Sequence, residues 1–149
     1  MTLAKSALIV ALLAPAVALA ASPAIYKARH DNFEAMGRAM KGTADSFKSG
    51  SPDIALIRAN AAVLAAAAPK VTKMFPKGTG VEGNPKSEAL PAIWQKPAEF
   101  AAANKRLVDA TVAFKAAAAG GDMAAVQAAF GAVGGSCKNC HETFRKPRG

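Results

Sequence analysis

The chain has 149 residues, which is enough for one modest domain. Lysine and arginine outnumber aspartate and glutamate by 19 to 10, and the formal net charge is +9. The basic residues are scattered along the chain, apart from a cluster at residues 145–148. We therefore interpret the charge as a solvated surface rather than a concentrated nucleic-acid site, and an acidic protein partner stays compatible with it.

The first 20 residues have the composition of an export signal. Lys5 precedes an apolar run from Ala7 to Ala20, which ends in the small residues typical of a cleavage site. The run contains Pro15 and is short for a membrane span, so we predict a cleaved signal peptide over residues 1–20 and no membrane anchor. The mature domain is then predicted over residues 21–149.

Two segments with helical periodicity follow the leader. The first helix is predicted over residues 23–47, and its large side chains recur every three or four positions: Tyr26, Phe33, Met36, Met40 and Phe47. A Ser-Gly-Ser-Pro run at residues 49–52 ends it. The second helix is predicted over residues 52–75, with Ser51 as its N-cap, and Pro69 is expected to kink or end it.

A long loop rich in glycine and proline is predicted from Pro76 to about Ile93. The third helix is expected to begin near Pro97 and to end at Gly120-Gly121, and Asp122 is expected to cap the fourth helix. Pro147 is expected to end that helix. No segment shows the period of two that is typical of strands, so the sequence predicts an all-α fold, an antiparallel four-helix bundle.

The fourth helix carries the sequence CKNCH at residues 137–141. C-x-x-C-H is the attachment motif for c-type haem: two thiols on one helical face add to the two vinyl groups of one porphyrin, and the next imidazole reaches the iron. A thioredoxin-like motif belongs in a βαβ context, and a zinc site needs about four ligands, whereas His30 is the only other histidine. We predict one covalent haem c, attached at Cys137 and Cys140 and ligated by His141.

The sixth position of the iron has several candidates. No methionine or histidine follows His141, so a protein ligand must come from upstream. Phe33, Met36 and Met40 share one stripe of the first helix, while His30 lies one residue off it. A methionine ligand would give a low-spin haem suited to electron transfer, and Phe33 would leave the position empty and the iron high-spin. The stripe alone does not decide between them.

Three further residues are candidates for contact with the haem. Arg29 lies on the first stripe, where a buried charge needs a partner such as a haem propionate, although its head group can also reach water. Trp94 either covers a haem edge or anchors the loop. Arg145 comes four residues after His141, near the proximal side, or is a solvated residue of the tail.

Three segments together resemble the cytochrome c′ family, the class II c-type cytochromes. Residues 24–42 resemble the family's pattern of an arginine followed four positions later by the distal residue, then Met-Gly and a second methionine. Residues 90–94 resemble its Pro-x-Ile-Trp segment, and residues 130–146 resemble its haem-binding helix closely. The likeness covers the whole mature chain.

The resemblance implies an antiparallel four-helix bundle with five-coordinate haem, often homodimeric through its first two helices. By position, Arg29 matches the arginine that contacts a propionate, and Arg145 matches the basic residue beside the proximal face. Phe33 stands where the low-spin relatives carry their ligand methionine, which favours a five-coordinate iron. His30 stands where many members carry glutamine.

We therefore expect a periplasmic haem protein that binds NO and CO and can transfer one electron, with a low-spin, methionine-ligated electron carrier as the alternative. Phe33 offers no hydrogen-bond donor, so O₂ is expected to bind poorly. A peroxidase is disfavoured because the first stripe has no distal base, so no enzymatic activity is expected. The expected partners are diatomic gases and a redox protein, and an exported haem protein makes nucleic acid improbable.

Overall fold

The computed structural model describes residues 23–147, and the predicted signal peptide at residues 1–20 lies outside them. Within residues 23–147 there are five α-helices and one 3₁₀ segment, in this order: α1 (Pro23–Lys48), α2 (Ile54–Ala67), the 3₁₀ segment (Ala68–Met74), α3 (Ala92–Gln95), α4 (Pro97–Gly120) and α5 (Met123–Phe144). The four long helices are the four that the sequence predicts. The additional α3 is a single turn at the end of the predicted loop.

Local chemistry explains where the second helix begins and ends. Asp53 is the N-cap of α2, because its carboxylate accepts hydrogen bonds from the backbone N–H groups of Ala55 and Leu56 at 2.9 and 3.1 Å. The predicted cap at Ser51 is therefore wrong by two residues. Pro69 acts as expected, since α2 ends at Ala67 and the chain continues in the tighter 3₁₀ form.

The end of α5 differs from the prediction as well. The helix stops at Phe144 rather than at Pro147, and Arg145 is extended. The backbone there pairs with the end of the long loop: Leu90 N–H donates to the Phe144 carbonyl at 3.0 Å, and Lys146 N–H donates to the Glu88 carbonyl at 2.7 Å. Hydrogen bonds to the loop thus replace the last helical turn, and they hold the loop against the carboxyl end of α5.

The long helices pack in sequence, α1 on α2, α2 on α4 and α4 on α5. Ring contacts show that α4 and α5 are antiparallel: Phe100 meets Phe144 at a centroid distance of 5.2 Å, and Phe114 meets Phe130 at 5.6 Å. Burial of a large apolar side chain stabilises a fold by about 1.5–3 kcal/mol. The fully buried side chains Ile57, Leu64, Phe114, Val126 and Val133 form the centre of this core.

The stretch Ile54–Met74 is long and apolar enough to cross a membrane by length and composition. Its inward residues, among them Ile57, Leu64 and Val71, are buried in the bundle core. That burial is the pattern of a core helix in a folded domain, so the stretch is weak evidence for a membrane span.

Candidate haem-attachment site

The two cysteines lie on the inward face of α5. Cys137 and Cys140 are one turn apart, half-buried, and packed against the hydrophobic core. Burial raises the pKa of both thiols because it disfavours the thiolate, and the pKa of Cys140 is raised further by neighbouring Cys137. Two protonated thiols on one face have the spacing that addition to two vinyl groups of a single porphyrin requires.

The register between α1 and α5 decides which residue of α1 lies opposite His141. The Cε of Met40 is 3.9 Å from the position that a Cβ on Gly134 would take, and Phe47 meets Phe130 at a centroid distance of 5.5 Å. These two contacts run in opposite directions along the helices, so α1 and α5 are antiparallel. Seven residues before Met40 is Phe33, and seven residues after Gly134 is His141. Because seven residues make about two turns, the first contact puts Phe33 near the level of His141, and the Phe47–Phe130 contact, counted in the same way, puts it one turn further on, near Phe144. The two contacts together therefore place Phe33 within about one turn of the level of His141.

The two methionines of α1 occupy other places. The side-chain amide of Asn32 lies 3.8 Å from the Met36 sulfur and 3.4 Å from the Ala67 carbonyl of α2, so the Met36 sulfur is on the side of α1 that meets α2. Met36 is buried there. Met40 packs at Gly134, about 10 Å along the helix axis from the level of His141.

Aromatic rings build a continuous apolar wall at this end of the bundle. Phe33 makes an edge contact with Phe75 at a centroid distance of 6.2 Å, Phe75 with Phe100 at 5.2 Å, and Phe100 with Phe144 at 5.2 Å. Such pairs each stabilise by about 0.5–1.5 kcal/mol beyond their buried area. A wall of phenyl rings suits the flat apolar face of a porphyrin and offers no hydrogen-bond donor to a bound ligand.

Arg29 is a buried cation, with 7% of its surface exposed. Its guanidinium donates to Thr79 Oγ1 at 3.1 Å, to the Thr79 carbonyl at 2.8 Å, to Ser87 Oγ at 3.1 Å and to the Met74 carbonyl at 3.5 Å. All of these acceptors are neutral, and burial lowers the Arg29 pKa because it disfavours the charged form.

The surroundings of Arg29 are suited to an acidic group. No carboxylate within residues 23–147 lies at ion-pair distance from Arg29, and the nearby Tyr26 hydroxyl is buried with no hydrogen-bond partner in that range. A buried charge is costly until an opposite charge compensates it. A porphyrin with carboxylate side chains would supply that charge, and the Tyr26 hydroxyl is a buried donor that no described residue uses.

Arg145 lies at the carboxyl end of α5, next to the candidate site in sequence. It follows His141 by four residues, and its backbone N–H donates to the His141 carbonyl at 3.3 Å. Its side-chain Nε is buried with no hydrogen-bond partner among the described residues. An unsatisfied buried donor close to the iron-ligating position is what a site built for a further group would show.

Two of the sequence-predicted residues lie apart from this group. His30 is on the exposed face of α1, with Nδ1 3.7 Å from Asp31 Oδ1 and 3.8 Å from Glu34 Oε2. Trp94 donates its indole N–H to the Phe75 carbonyl at 2.9 Å, so it ties α3 to the end of the 3₁₀ segment. Trp94 therefore anchors the loop, and its indole is tied to the backbone of Phe75, a member of the aromatic wall.

Sequence reasoning missed three residues that the structure brings to this region. Phe75 links Phe33 to Phe100, and Tyr26 and Asn104 each bury a polar atom that has no hydrogen-bond partner among the described residues. Asn104 had a visible signal, because it is a polar side chain in the apolar stripe of α4. The position of Phe75 depends on how the 3₁₀ segment folds back, which no local pattern encodes.

The sequence of this chain matches a known protein family. The family model described as "Cytochrome C'" matches residues 24–145. The chain is 38% identical over 127 residues to cytochrome c′ of Pararhodospirillum photometricum, an alignment that covers 85% of this chain and all of that one.

Solved structures show the same fold. Cytochrome c′ from Thermochromatium tepidum superposes with a TM-score of 0.76 at 28% identity, covering 83% of this chain and 95% of that one. A nitric oxide complex of a cytochrome c′ variant from Alcaligenes xylosoxidans superposes with a TM-score of 0.74 at 33% identity, covering 85% and 98%.

Proposed function

Because the chain belongs to the cytochrome c′ family and so carries a covalent c-type haem, we propose that it is a periplasmic, five-coordinate haem protein that binds NO and CO. Cys137 and Cys140 hold the haem, and His141 ligates the iron. The iron, when bound, supplies an open axial position for a diatomic ligand and a one-electron redox couple. The assignment rests on binding and electron exchange rather than on an enzymatic reaction.

The observation that carries the proposal is the height of Phe33 along the bundle axis, close to that of His141. A phenyl ring cannot donate a lone pair to iron, so with Phe33 near the level of His141 the iron would have no protein ligand in its sixth position. The Met36 sulfur lies towards α2, and Met40 lies about two turns away. The alternative, a low-spin electron carrier with a methionine ligand, would need one of these side chains to leave its place in the packing.

Ligand choice follows from the side chains around the distal position. Phe33 and Phe75 exclude water and provide no hydrogen-bond donor. Bound O₂ depends strongly on such a donor, whereas NO and CO depend on it much less, so the pocket favours the latter two. Phe33 would shield the iron, and a ligand would reach it only after the ring rotated away from its contact with Phe75. Entry is therefore expected to be slow.

Arg29 and Arg145 position the bound group. Arg29 would supply the positive charge opposite a propionate, with its guanidinium held in place by Thr79 at 3.1 and 2.8 Å, and the aromatic wall would pack against the macrocycle. Arg145, one helical turn after His141, would place a cation near the proximal face of the haem.

Export and assembly complete the proposal. The leader at residues 1–20 directs the chain to the periplasm, where c-type haem is attached in bacteria. The outer face of α2 is suited to a homodimer, because Leu56 and Val63 are 42% and 41% exposed. A groove of about 230 Å³ lies beside Val63, between α1 and α2.

The visible spectrum of the ferric holoprotein tests the proposal. A high-spin spectrum that changes when NO is added, together with a ferrous form that binds CO, is the expected result. A low-spin spectrum with a far-red methionine–iron band contradicts it, because the axial ligand controls the spin state of the iron.

A further inference from the structure

The core of α4 contains a polar side chain that its neighbours do not satisfy. Asn104 is 7% exposed, and its Oδ1 is buried with no hydrogen-bond partner in the part of the chain that the structure describes. Thr111, on the same face of α4, is buried as well, but its hydroxyl donates to the Val108 carbonyl at 2.9 Å. A buried, unpaired carbonyl oxygen destabilises a fold, so its presence needs an explanation.

The register between α4 and α5 places Asn104 beside the haem-attachment motif. The contacts Phe100–Phe144 and Phe114–Phe130 fix this register. Four residues after Phe100 is Asn104, and four residues before Phe144 is Cys140, so these two residues lie level with each other.

We propose that the Asn104 side-chain oxygen faces the edge of the haem that is attached through Cys140, and that it lowers the reduction potential. The inference rests on the proposed attachment at Cys140 and is independent of the coordination number of the iron. Ferric haem carries one more positive charge than ferrous haem. A fixed dipole with its negative end towards the macrocycle therefore stabilises the oxidised form, and a water-poor interior strengthens the effect.

The direction of the amide matters for the sign. If Oδ1 faces the haem, its partial negative charge makes the gain of one electron from an external donor less favourable. If the amide nitrogen faced the haem, its N–H groups would favour the ferrous form instead. The sign of the change in potential therefore distinguishes the two arrangements.

The midpoint potential of the holoprotein tests the inference. Asn104→Leu replaces the amide by an apolar side chain of similar size, and the midpoint potential, measured by spectroelectrochemical titration, is expected to rise. Thr111→Val is the matched control. It also removes a buried polar group from α4, but it lies level with Val133, about 10 Å along the axis from Cys140. The shift for Asn104→Leu should be at least twice that of the control.

Asn104→Ala is a second variant, which removes the amide without adding side-chain volume and so excludes a packing effect of the leucine. It should shift the midpoint potential in the same direction. A fall in potential, or a rise no larger than that of Thr111→Val, overturns the inference. The absorbance of covalently bound haem and the ferric spectrum are recorded for every variant. If both are unchanged while the potential does not move, the inference fails and the proposed function stands. Loss of covalent haem from the wild-type chain would instead refute the proposed function.

Discussion

The guanidinium of Arg29 donates hydrogen bonds to both oxygens of Thr79, from Nη1 to the hydroxyl at 3.1 Å and from Nη2 to the carbonyl at 2.8 Å. The Ser87 hydroxyl accepts a third hydrogen bond from the same side chain at 3.1 Å. One residue of α1 thereby fixes two points of the long loop, 50 and 58 positions further along the chain. These hydrogen bonds join the amino end of α1 to the long loop, which also pairs with the end of α5.

Loss of the Arg29 hydrogen bonds should lower the free energy of unfolding. Arg29→Leu removes the donors and leaves the buried oxygens of Thr79 and Ser87 without hydrogen bonds. The free energy of unfolding should therefore fall by about 1.5–3 kcal/mol. Denaturant unfolding of the holoprotein measures this difference. Arg38→Leu is the control, because Arg38 is an exposed residue of α1 paired with Glu34, and such pairs contribute about 0–1 kcal/mol. Equal destabilisation by the two substitutions would contradict the buried role of Arg29.

Phe33→Met should convert the iron to a low-spin form. The substitution places a thioether level with His141, where the native phenyl ring cannot ligate. The ferric spectrum should gain the far-red methionine–iron band, and CO binding to the ferrous protein should slow or stop.

Met36→Leu and Met40→Leu are the matched controls for that substitution. Both remove a methionine from α1 without touching the position opposite His141, so the ferric spectrum should stay high-spin. A change of spin state in either control would show that a native methionine reaches the iron.

A charge on the outer face of α2 should break the proposed homodimer. Leu56→Asp combined with Val63→Asp puts two carboxylates on the apolar surface, where burial in an interface is costly. Sedimentation velocity should then show a shift from dimer to monomer. Val112→Asp is the control, since Val112 is 57% exposed on α4, away from this face. A wild-type chain that sediments as a monomer would refute the interface.

The haem-free chain should show a pH dependence that comes from its two thiols. Burial raises the pKa of Cys137 and Cys140 in the folded state, so folding favours the protonated form. The resulting stability is fully present below the unfolded thiol pKa of about 8.5, and it is lost as pH rises from there through the folded pKa.

Urea unfolding of the haem-free chain between neutral and alkaline pH measures that loss. Cys137→Ser combined with Cys140→Ser should remove it, because serine does not titrate in this range. Iodoacetamide should also react more slowly with the folded chain than with the urea-unfolded chain at the same pH. Equal rates in the two states would show that the thiols are not shielded.

Local sequence chemistry determined much of this molecule. The spacing of Cys137, Cys140 and His141 specifies haem attachment because two thiols one turn apart match two vinyl groups. Gly121 adopts a positive φ of 81° after α4, and the Asp122 carboxylate accepts from the first N–H groups of α5. Both features are readable because turns and caps depend on neighbours within about four residues.

Tertiary structure decided what lies around the haem position. Phe33, Met36 and Met40 share one stripe, and only the contacts of α1 with α2 and α5 separate a side chain level with His141 from two that are not. The acceptors of Arg29 and the isolation of the Asn104 oxygen likewise depend on segments far apart in the chain. Periodicity defines the face of a helix to which a residue belongs, but the height at which it meets another helix is set by side-chain packing across the interior.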